Sequence, residues 1–370
     1  MGPARGLGLG MKAGLEKSLE GKRVQGRSYK LLFRNDSYEP DESVRSTQRI
    51  IKRGIFAFLG NVGTPTAEAT LPILTNEGIP AVGFFTGAGL LRTEATPTVN
   101  FRASYLQETE RLITEAMKAG VKTNEFCAYV QNDAFGMAGL SGFASALKKG
   151  NADPKTLALI DEIINKPGVN PDRNNIGPVG VYVRNSIRWK SGFDSIVRWE
   201  DKTKTRCRVV VTVGAYSNIA LFIRGVRKKA RDFVVSAVSF TGADRLHKRL
   251  KKYRSIDKVV MTQVVPLLDS NLPIVKEARA KLGRDFGYVS LEGYIVGSMF
   301  HRILGNVDGP ISRESFLAQV KKSKFDLGGV AIDFTKNGNQ GSDLVIPSLL
   351  TTRGWQEFDS STWTQLLKAD

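Results

Sequence analysis

The sequence has few of the residues that most often carry out catalysis or bind metals. Its 370 residues include two histidines, His247 and His301, and two cysteines, Cys127 and Cys207. No zinc-type Cys/His spacing, no Walker phosphate loop and no Gly-x-Ser-x-Gly nucleophile elbow occurs. Both histidines fall on predicted helices among basic neighbours, which favours structural roles. These absences argue against an enzyme, and we expect no metal and no cofactor.

Disulfide and membrane signals are also sparse. Each cysteine lies in a short apolar run typical of a strand, so buried free thiols are the favoured interpretation, with a disulfide left open. No apolar run reaches the roughly 18 residues of a membrane span. No secretory leader is visible, and the glycine-rich turn at 2–10 opens a helix with no strand before it. We therefore expect that the natural front end is missing.

The third shortage is of acidic residues. The chain has 54 Lys and Arg against 36 Asp and Glu, a net charge of +18. The basic residues cluster at 224–231, 245–254 and 321–324, and Tyr253 is the one aromatic residue inside these clusters. A stacking platform for bases is therefore absent, as is every common nucleic-acid-binding motif. We predict no nucleic-acid partner and favour a solvated basic surface, or one that faces an anionic membrane.

What the chain does have is a regular alternation of strand-like and helix-like segments. Apolar runs at 55–59, 79–83, 125–130, 179–182, 209–213 and 233–238 alternate with helical patterns, and a further strand is predicted at 28–33. This alternation predicts an α/β fold with parallel sheets and crossover helices. The length suggests about two domains.

Two strand-to-helix corners stand close together, at 56–66 and 79–89. In each, an apolar run breaks at glycine, and a threonine, Thr64 or Thr86, occupies a predicted helix N-cap. Parallel strands end at one edge of the sheet, where helix N-termini offer free N–H groups to an anion. From the residues alone, two ordinary loops of an α/β domain are the favoured interpretation.

Eleven short stretches, in order along the chain, resemble the type I periplasmic binding proteins, in particular the leucine/isoleucine/valine-binding group. They include Gly60-Asn-Val-Gly-Thr-Pro-Thr66, Gln131-Asn-Asp-Ala-Phe-Gly136, Ser239-Phe-Thr-Gly-Ala-Asp244 and Ser290-Leu-Glu-Gly-Tyr294. Each is weak evidence by itself. The ordered set, which covers nearly the whole chain, is specific.

The resemblance implies two Rossmann-like lobes with parallel central sheets, joined by a three-segment hinge, with the ligand held between the lobes. Lobe 1 would comprise 1–102 and 263–327 and would lack its usual first strand. Lobe 2 would comprise 103–262 and 328–370. The third crossing is expected near 325–330.

The resemblance also implies ligand-binding residues. In lobe 1 they are Thr64, the turn Phe85-Thr86-Gly87 and Leu7, and in lobe 2 they are Phe135, Tyr216 and Ser239. The lobe 1 corners would hold a carboxylate. Ordinary core packing is the competing interpretation for Phe135 and Tyr216.

One departure from the family pattern bears on the ligand. Branched-chain amino acid binders place an acid on the second lobe, and none lies near Ser239. A buried ammonium without a counter-charge is costly. Either Asp133 or Asp244 replaces that acid, or the ligand is another carboxylate, an amide or an aromatic acid. Single aspartates after strand ends more often cap helices.

The function implied by the resemblance is the capture of a small amino-acid-like or carboxylate ligand by hinge closure in the periplasm. The partner would be a membrane-bound ABC permease. A sensory ectodomain of a signalling receptor is the alternative, and an enzyme is a third and weaker hypothesis.

Overall fold

The structure is a computed structural model, and it describes residues 4–336 and 338–368. The helices in that part of the chain are α1 (Arg5–Leu19), α2 (Pro40–Ile51), α3 (Thr64–Asn76), α4 (Tyr105–Lys118), α5 (Ala134–Lys149), α6 (Pro154–Asn165), α7 (Lys190–Thr203), α8 (Tyr216–Lys228), α9 (Ala243–Tyr253), α10 (Pro273–Leu282), α11 (Tyr288–Gly305), α12 (Arg313–Lys322) and α13 (Ser360–Leu367).

The strands are β1 (Arg23–Val24), β2 (Arg27–Ser28), β3 (Phe58–Leu59), β4 (Ala81–Val82), β5 (Thr98–Val99), β6 (Phe126–Gln131), β7 (Val179–Tyr182), β8 (Val209–Val213), β9 (Val234–Ala237), β10 (Val259–Gln263), β11 (Lys324–Asp326), β12 (Ala331–Asp333), β13 (Ile346–Thr351) and β14 (Gly354–Glu357). The alternation of strands and helices predicted from the sequence is confirmed as a mixed α/β fold.

The chain divides into two compact units. Unit 1 comprises Met1–Ala103 and Val264–Leu344, and unit 2 comprises Ser104–Gln263 and Val345–Asp370. The third boundary between the units therefore lies after residue 344 and not after residue 327 as expected, because residues 328–344 lie in unit 1. Long-range hydrogen bonds explain this placement: the Asn339 side chain donates to the Leu91 carbonyl at 2.8 Å and to the Thr98 hydroxyl at 2.6 Å.

Unit 1 has a short parallel sheet in the order β3-β4-β5. α1 packs against α11 along this unit. A Cβ on Gly14 would lie 2.2 Å from the Ser290 carbonyl oxygen, so only glycine allows the two helices to approach this closely. Buried Leu7, Met11 and Leu15 form the apolar stripe of α1.

The strand predicted at 28–33 is wrong for most of its length. Only Arg27 and Ser28 form strand β2, which pairs with β1 in a small antiparallel hairpin. The residues after Ser28 lack strand pairing, and Leu32 and Phe33 are 37% and 40% exposed. Their apolar composition is typical of a strand, but pairing needs a neighbouring strand edge.

Unit 2 has a seven-stranded sheet in the order β14-β13-β10-β9-β8-β6-β7. The five strands from β10 to β7 are parallel, and β13 and β14 are antiparallel additions at one edge. Every residue of β6, β7, β8, β9 and β10 is buried. Continuous apolar runs such as that of β8 therefore reflect a sheet covered on both faces.

The interpretation of the cysteines as free thiols is wrong. Cys127 of β6 and Cys207, two residues before β8, form a disulfide with their Cα atoms 5.7 Å apart. β6 and β8 are parallel neighbours, with Cys127 opposite Val210. Strand pairing across 80 residues brings the two sulfurs together, and strand-like runs alone do not reveal which strands are neighbours.

No helix in the described residues is long and apolar enough to cross a membrane. Within the same residues, no group of three or more His, Cys, Asp or Glu side chains is arranged to hold a metal ion.

Candidate functional site

The two corners singled out in the sequence lie side by side in unit 1. β3 and β4 are parallel neighbours, and their pairing continues beyond the strands as a bridge between Val62 and Phe85. The Phe85 N–H donates to the Asn61 carbonyl at 2.7 Å, and the Gly63 N–H donates to the Phe85 carbonyl at 3.3 Å. The chain segments just after the two strands are thus held together at one edge of the sheet.

At this edge the side chains of Thr64 and Thr86 form a hydrogen bond between their hydroxyls at 2.7 Å. Both side chains are fully buried. Thr64 is the first residue of α3 and does not cap it; the N-cap is Gly63, with a φ of +113°. A Cβ at Gly63 would lie 2.3 Å from the Tyr38 ring, so glycine is needed at this cap. The Thr64 hydroxyl is therefore directed to Thr86.

The second corner lacks the α-helix that begins directly after the first. Its turn at Gly87 leads instead into a short 3-10 helix, Gly89–Leu91. The Thr86 hydroxyl accepts a hydrogen bond from the Ala88 N–H at 3.3 Å. The site thus offers one α-helix N-terminus, that of α3, rather than the two predicted. Pro65 has no N–H and the Ala67 N–H donates to the Gly63 carbonyl, so the N–H groups of Thr64 and Thr66 are the ones at the start of α3 that are directed at an anion.

A buried arginine stands at the third strand end of the same sheet, and the sequence analysis did not select it. Arg102 lies just after β5 and is 1% exposed. Its guanidinium carbon lies 4.8 Å from the centre of the Phe85 ring, and its Nη1 lies 3.5 Å from Glu292 Oε1. No strand was predicted at 98–99, so the sequence analysis had no strand end to which Arg102 could be assigned.

Arg92 braces the turn on which Thr86 lies. Its guanidinium donates to the carbonyls of Ala88 at 2.9 Å and Arg102 at 2.8 Å, and to the Gln340 side chain at 2.7 Å. Three consecutive strand ends of unit 1 thus carry a hydroxyl pair, an aromatic ring and two guanidinium groups. Such a set suits a small anion with an apolar neighbour.

The predicted residues of unit 2 also lie at strand ends. Asp133 lies just after β6 and caps α5, because its carboxylate accepts from the Phe135 N–H at 3.0 Å. The same carboxylate accepts from the Gln131 amide at 2.8 Å and lies 3.4 Å from Arg184 Nη1. Burial raises the pKa of Asp133, against the opposing effects of Gln131, Arg184 and the backbone N–H groups.

Phe135 is fully buried within an aromatic cluster of unit 2. Its ring centre lies 5.2 Å from that of Tyr105 and 4.4 Å from that of Phe240. The Tyr105 and Phe240 rings are 6.5 Å apart and nearly perpendicular. These distances are typical of packed aromatic cores, so the geometry of Phe135 by itself fits core packing.

Ser239 lies beside a buried acid that the sequence analysis missed. The Glu108 carboxylate accepts from the Ser239 N–H at 2.8 Å, from its hydroxyl at 3.0 Å and from the Thr262 hydroxyl at 2.5 Å. Glu108 lies in the first turn of α4 and is fully buried. The acid near Ser239 therefore comes from a helix 131 residues earlier in the chain.

Tyr216 and Leu7 are both buried within their own units. Tyr216 begins α8, is 5% exposed and lies beneath the Arg249 guanidinium, 5.3 Å from the ring centre. Leu7 lies in the first turn of α1 and is fully buried in the stripe with Met11 and Leu15. Their roles in ligand binding stay predictions.

Unit 1 also contains a cavity of about 720 Å³. It lies among α1, α2, residues 24–38 and residues 53–62, and it does not reach Thr64 or Thr86. Three exposed large apolar side chains, Leu9, Leu32 and Phe33, line it. β3 is the edge strand of its sheet on this side, because its one sheet neighbour is β4.

A family model and the similar solved structures indicate the same protein family. A family model described as periplasmic binding protein matches residues 2–158. A possible leucine/isoleucine/valine-binding protein from Rhodopirellula baltica is 30% identical, with a TM-score of 0.87 over 100% of this chain and 95% of that one. No functionally curated sequence matches the chain.

Two further solved structures share the fold. A substrate-binding periplasmic protein from Ralstonia solanacearum is 20% identical, with a TM-score of 0.77 over 96% of each chain. A branched-chain amino acid ABC transporter protein from Thermus thermophilus, with bound valine, is 15% identical, with a TM-score of 0.73 over 99% of this chain and 96% of that one. Given the strand-end architecture of both units and the match over the full length to the Rhodopirellula protein, the chain belongs to the periplasmic binding protein family.

Proposed function

We propose that this chain is the solute-binding component of an ABC importer and that it binds a small carboxylate ligand, amino-acid-like or aromatic, without catalysis. The proposal rests on the hydroxyl pair of Thr64 and Thr86, next to the N-terminus of α3 and to Phe85. Two hydroxyls carry two protons, and their mutual hydrogen bond uses one. The other can be donated to a carboxylate oxygen, as can the free N–H groups of α3.

Charge favours an anion over a cation at this edge. Arg102 places a guanidinium over the Phe85 ring, and the α3 N-terminus adds the positive end of a helix dipole. Burial strengthens such interactions, because water screens them less. Glu292, near Arg102, balances part of this charge and holds the guanidinium in place.

The ligands of relatives indicate which compounds to test. The Thermus protein was solved with valine, and a solute-binding protein from Rhodopseudomonas palustris, 15% identical, was solved with 4-hydroxybenzoate. Both compounds are carboxylates that carry an apolar group. We expect this chain to bind a member of the same chemical class.

A thermal-shift screen tests the proposal directly. The panel comprises valine, leucine, isoleucine, benzoate and 4-hydroxybenzoate, each paired with the amide in which the carboxylate is neutralised. A ligand at about 100 times its dissociation constant stabilises the folded protein by about 2.7 kcal/mol. We expect a rise in melting temperature with at least one acid and none with its amide. A response to amides alone would contradict the proposal.

The ligand affinity of site variants tests whether the ligand binds at this corner. Thr64→Val with Thr86→Val removes both hydroxyls, and we expect binding of the active acid to weaken at least tenfold by calorimetry, a loss of about 1.4 kcal/mol. Thr75→Val, near the C-terminal end of the same helix, is the matched control and should bind normally. Unchanged affinity in the double variant would exclude this corner. Phe135→Leu, Tyr216→Phe and Ser239→Ala test the unit 2 predictions in the same way.

An assay with a membrane permease tests the proposed role in transport. We propose a periplasmic location and a membrane permease as the partner. Addition of the ligand-bound protein to the permease and its ATPase in proteoliposomes should stimulate ATP hydrolysis. Ligand binding without stimulation would instead favour the sensory alternative.

We further propose that the 720 Å³ cavity of unit 1 is the place of a strand rather than the ligand site. The edge strand β3 and the apolar segment at 29–33 both line it, and the free edge of β3 is available to pair with a strand placed there. Fusion of an apolar strand-forming segment ahead of α1 should raise the free energy of unfolding and protect the Leu59 amide from hydrogen exchange. A glycine- and serine-rich extension is the control, and equal protection in both would contradict this proposal.

A further inference from the structure

Basic side chains are concentrated on two neighbouring helices of unit 2, α8 and α9. Between Tyr216 and Lys229 no acidic residue occurs, and in the stretch 243–254 Asp244 is the one acid. Seven of the basic residues in these stretches are exposed. Arg254 follows the end of α9, and we refer to the other six together as the basic face: Lys228, Lys229, Arg245, Lys248, Lys251 and Lys252.

The two helices are tied to each other by reciprocal stacking of arginine on tyrosine. Arg224 of α8 lies 4.8 Å from the centre of the Tyr253 ring of α9, and Arg249 of α9 lies 5.3 Å from that of Tyr216 of α8. These contacts keep the helices side by side, so the charges of both belong to one surface. They also cover the two tyrosine rings with guanidinium groups.

The apolar residues of these helices point away from that surface. Leu246 and Leu250 of α9 are fully buried, as are Phe222 and Ile223 of α8. None of the large exposed apolar side chains in the described part of the chain belongs to α8 or α9. The basic face therefore offers charge and no apolar anchor.

The charges of the basic face have no acidic partner in the part of the chain that the structure describes. Among residues 4–336 and 338–368, no carboxylate lies within ion-pair distance of any of its six members. Nearby basic residues outside the face do have such partners. Arg231 pairs with Glu200, and Lys258 pairs with Asp232.

We propose that the basic face docks this protein onto an anionic phospholipid surface. Lysine and arginine side chains near a membrane gain from its negative surface potential, and their contributions add without a defined pocket. A folded protein partner would need apolar or aromatic anchors, which this face lacks. A single-stranded nucleic acid would need aromatic rings for base stacking, and both tyrosines are covered.

Docking of this kind is peripheral, reversible and sensitive to salt. Because the apolar side chains of α8 and α9 are buried, apart from the half-buried Leu221, neither helix presents an exposed apolar stripe that could insert between lipid chains. The attraction falls off within about one Debye length, roughly 10 Å at 0.1 M salt. The effect would be to hold the protein near the membrane, independently of ligand binding.

The test is co-sedimentation of the full chain with vesicles. We expect binding at low salt to vesicles of equal parts phosphatidylglycerol and phosphatidylcholine, and none to phosphatidylcholine alone. The variant R245Q/K248Q/K251Q/K252Q should lose about fivefold in affinity for each residue replaced. The matched control K148Q/K155Q/K190Q/K204Q removes the same charge from exposed positions elsewhere in unit 2 and should bind as the wild type does.

Three results would overturn the proposal. Equal loss in both variants would mean that net charge, not this face, governs adsorption. Binding that is unaffected by salt or by lipid charge would exclude an electrostatic contact. Binding of a DNA oligonucleotide as tight as that of vesicles, lost in the same variant, would assign the face to nucleic acid. Ligand affinity and melting temperature, measured alongside, should be the same in all three proteins.

Discussion

The Glu108 carboxylate holds both the N–H and the hydroxyl of Ser239, although 131 residues separate them. These hydrogen bonds connect the segment just after β9 to the first turn of α4. The Thr262 hydroxyl of β10 donates to the same carboxylate. No acid lies within four residues of Ser239 along the chain. The acid is close in space instead, and it serves two hydroxyls and a backbone amide.

Replacement of Glu108 should be among the most destabilising polar changes in unit 2. Glu108→Ala leaves the Ser239 N–H and two buried hydroxyls without this acceptor, and each unsatisfied group costs about 1–3 kcal/mol. We expect a loss of at least about 3 kcal/mol in the free energy of unfolding, measured by urea denaturation. Exposed Glu162→Ala on α6 is the control and should stay within about 0.5 kcal/mol of the wild type. Similar small losses in both variants would contradict a structural role for Glu108.

The hydroxyl pair of unit 1 should behave as a coupled pair in a double-mutant cycle. Thr86→Val alone leaves the buried Thr64 hydroxyl and the Ala88 N–H without their partner, at a cost of about 1–3 kcal/mol. The double change to valine replaces both partners by groups of the same shape and should cost less than the sum of the single changes. Urea denaturation of the four proteins gives the coupling energy. Strict additivity would mean that the hydroxyls do not interact.

The disulfide should stabilise unit 2 in an oxidising environment. It closes a loop of 80 residues in the unfolded chain, for which loop-closure entropy alone predicts about 4.5 kcal/mol, although disulfides typically stabilise proteins by about 2–4 kcal/mol. We expect the double variant Cys127→Ala with Cys207→Ala to lose that amount, and reductant to lower the stability of the wild type but not of the variant. Thiol titration in denaturant should find no free thiol in protein prepared under oxidising conditions. Two titratable thiols there would contradict the pairing.

Asp133 should make a contribution to the free energy of unfolding that decreases as the pH rises. Because burial raises its pKa in the folded state, the folded chain binds this proton more tightly than the unfolded chain. Its contribution to stability therefore falls as pH rises above about 4. Asp133→Asn keeps an acceptor for the Phe135 N–H and does not titrate. We expect the free energy of unfolding of the wild type, relative to this variant, to fall with rising pH across the acid range.

A contrasting variant checks the sign of that effect. Hydrogen bonds from Ser361 and Thr362 lower the pKa of Asp359, which caps α13. For Asp359→Asn the same comparison should run the other way, with the wild type gaining relative stability as pH rises. Equal slopes in the two comparisons would mean that the environment of Asp133 does not raise its pKa.

Local patterns were sufficient for much of the fold. Continuous apolar runs such as that at 209–213 became buried parallel strands, and the helical patterns between them became the crossover helices. The corner at 56–66 became a strand, a glycine turn and a helix that begins at Thr64. These features depend on residues within a few positions of one another, so the sequence carries them directly.

The α/β class, the strand-end position of Thr64 and Thr86 and the excess of basic charge follow from the amino-acid sequence alone. The contacts between distant groups follow from the three-dimensional fold: Cys127 with Cys207, Arg102 with Phe85, and Glu108 with Ser239. The fold also places residues 328–344 in unit 1. Hydrophobic periodicity depends on residues that are close together in the sequence, so it predicts individual helices and strands. Contacts between distant segments depend instead on strand order and register, which no single segment encodes.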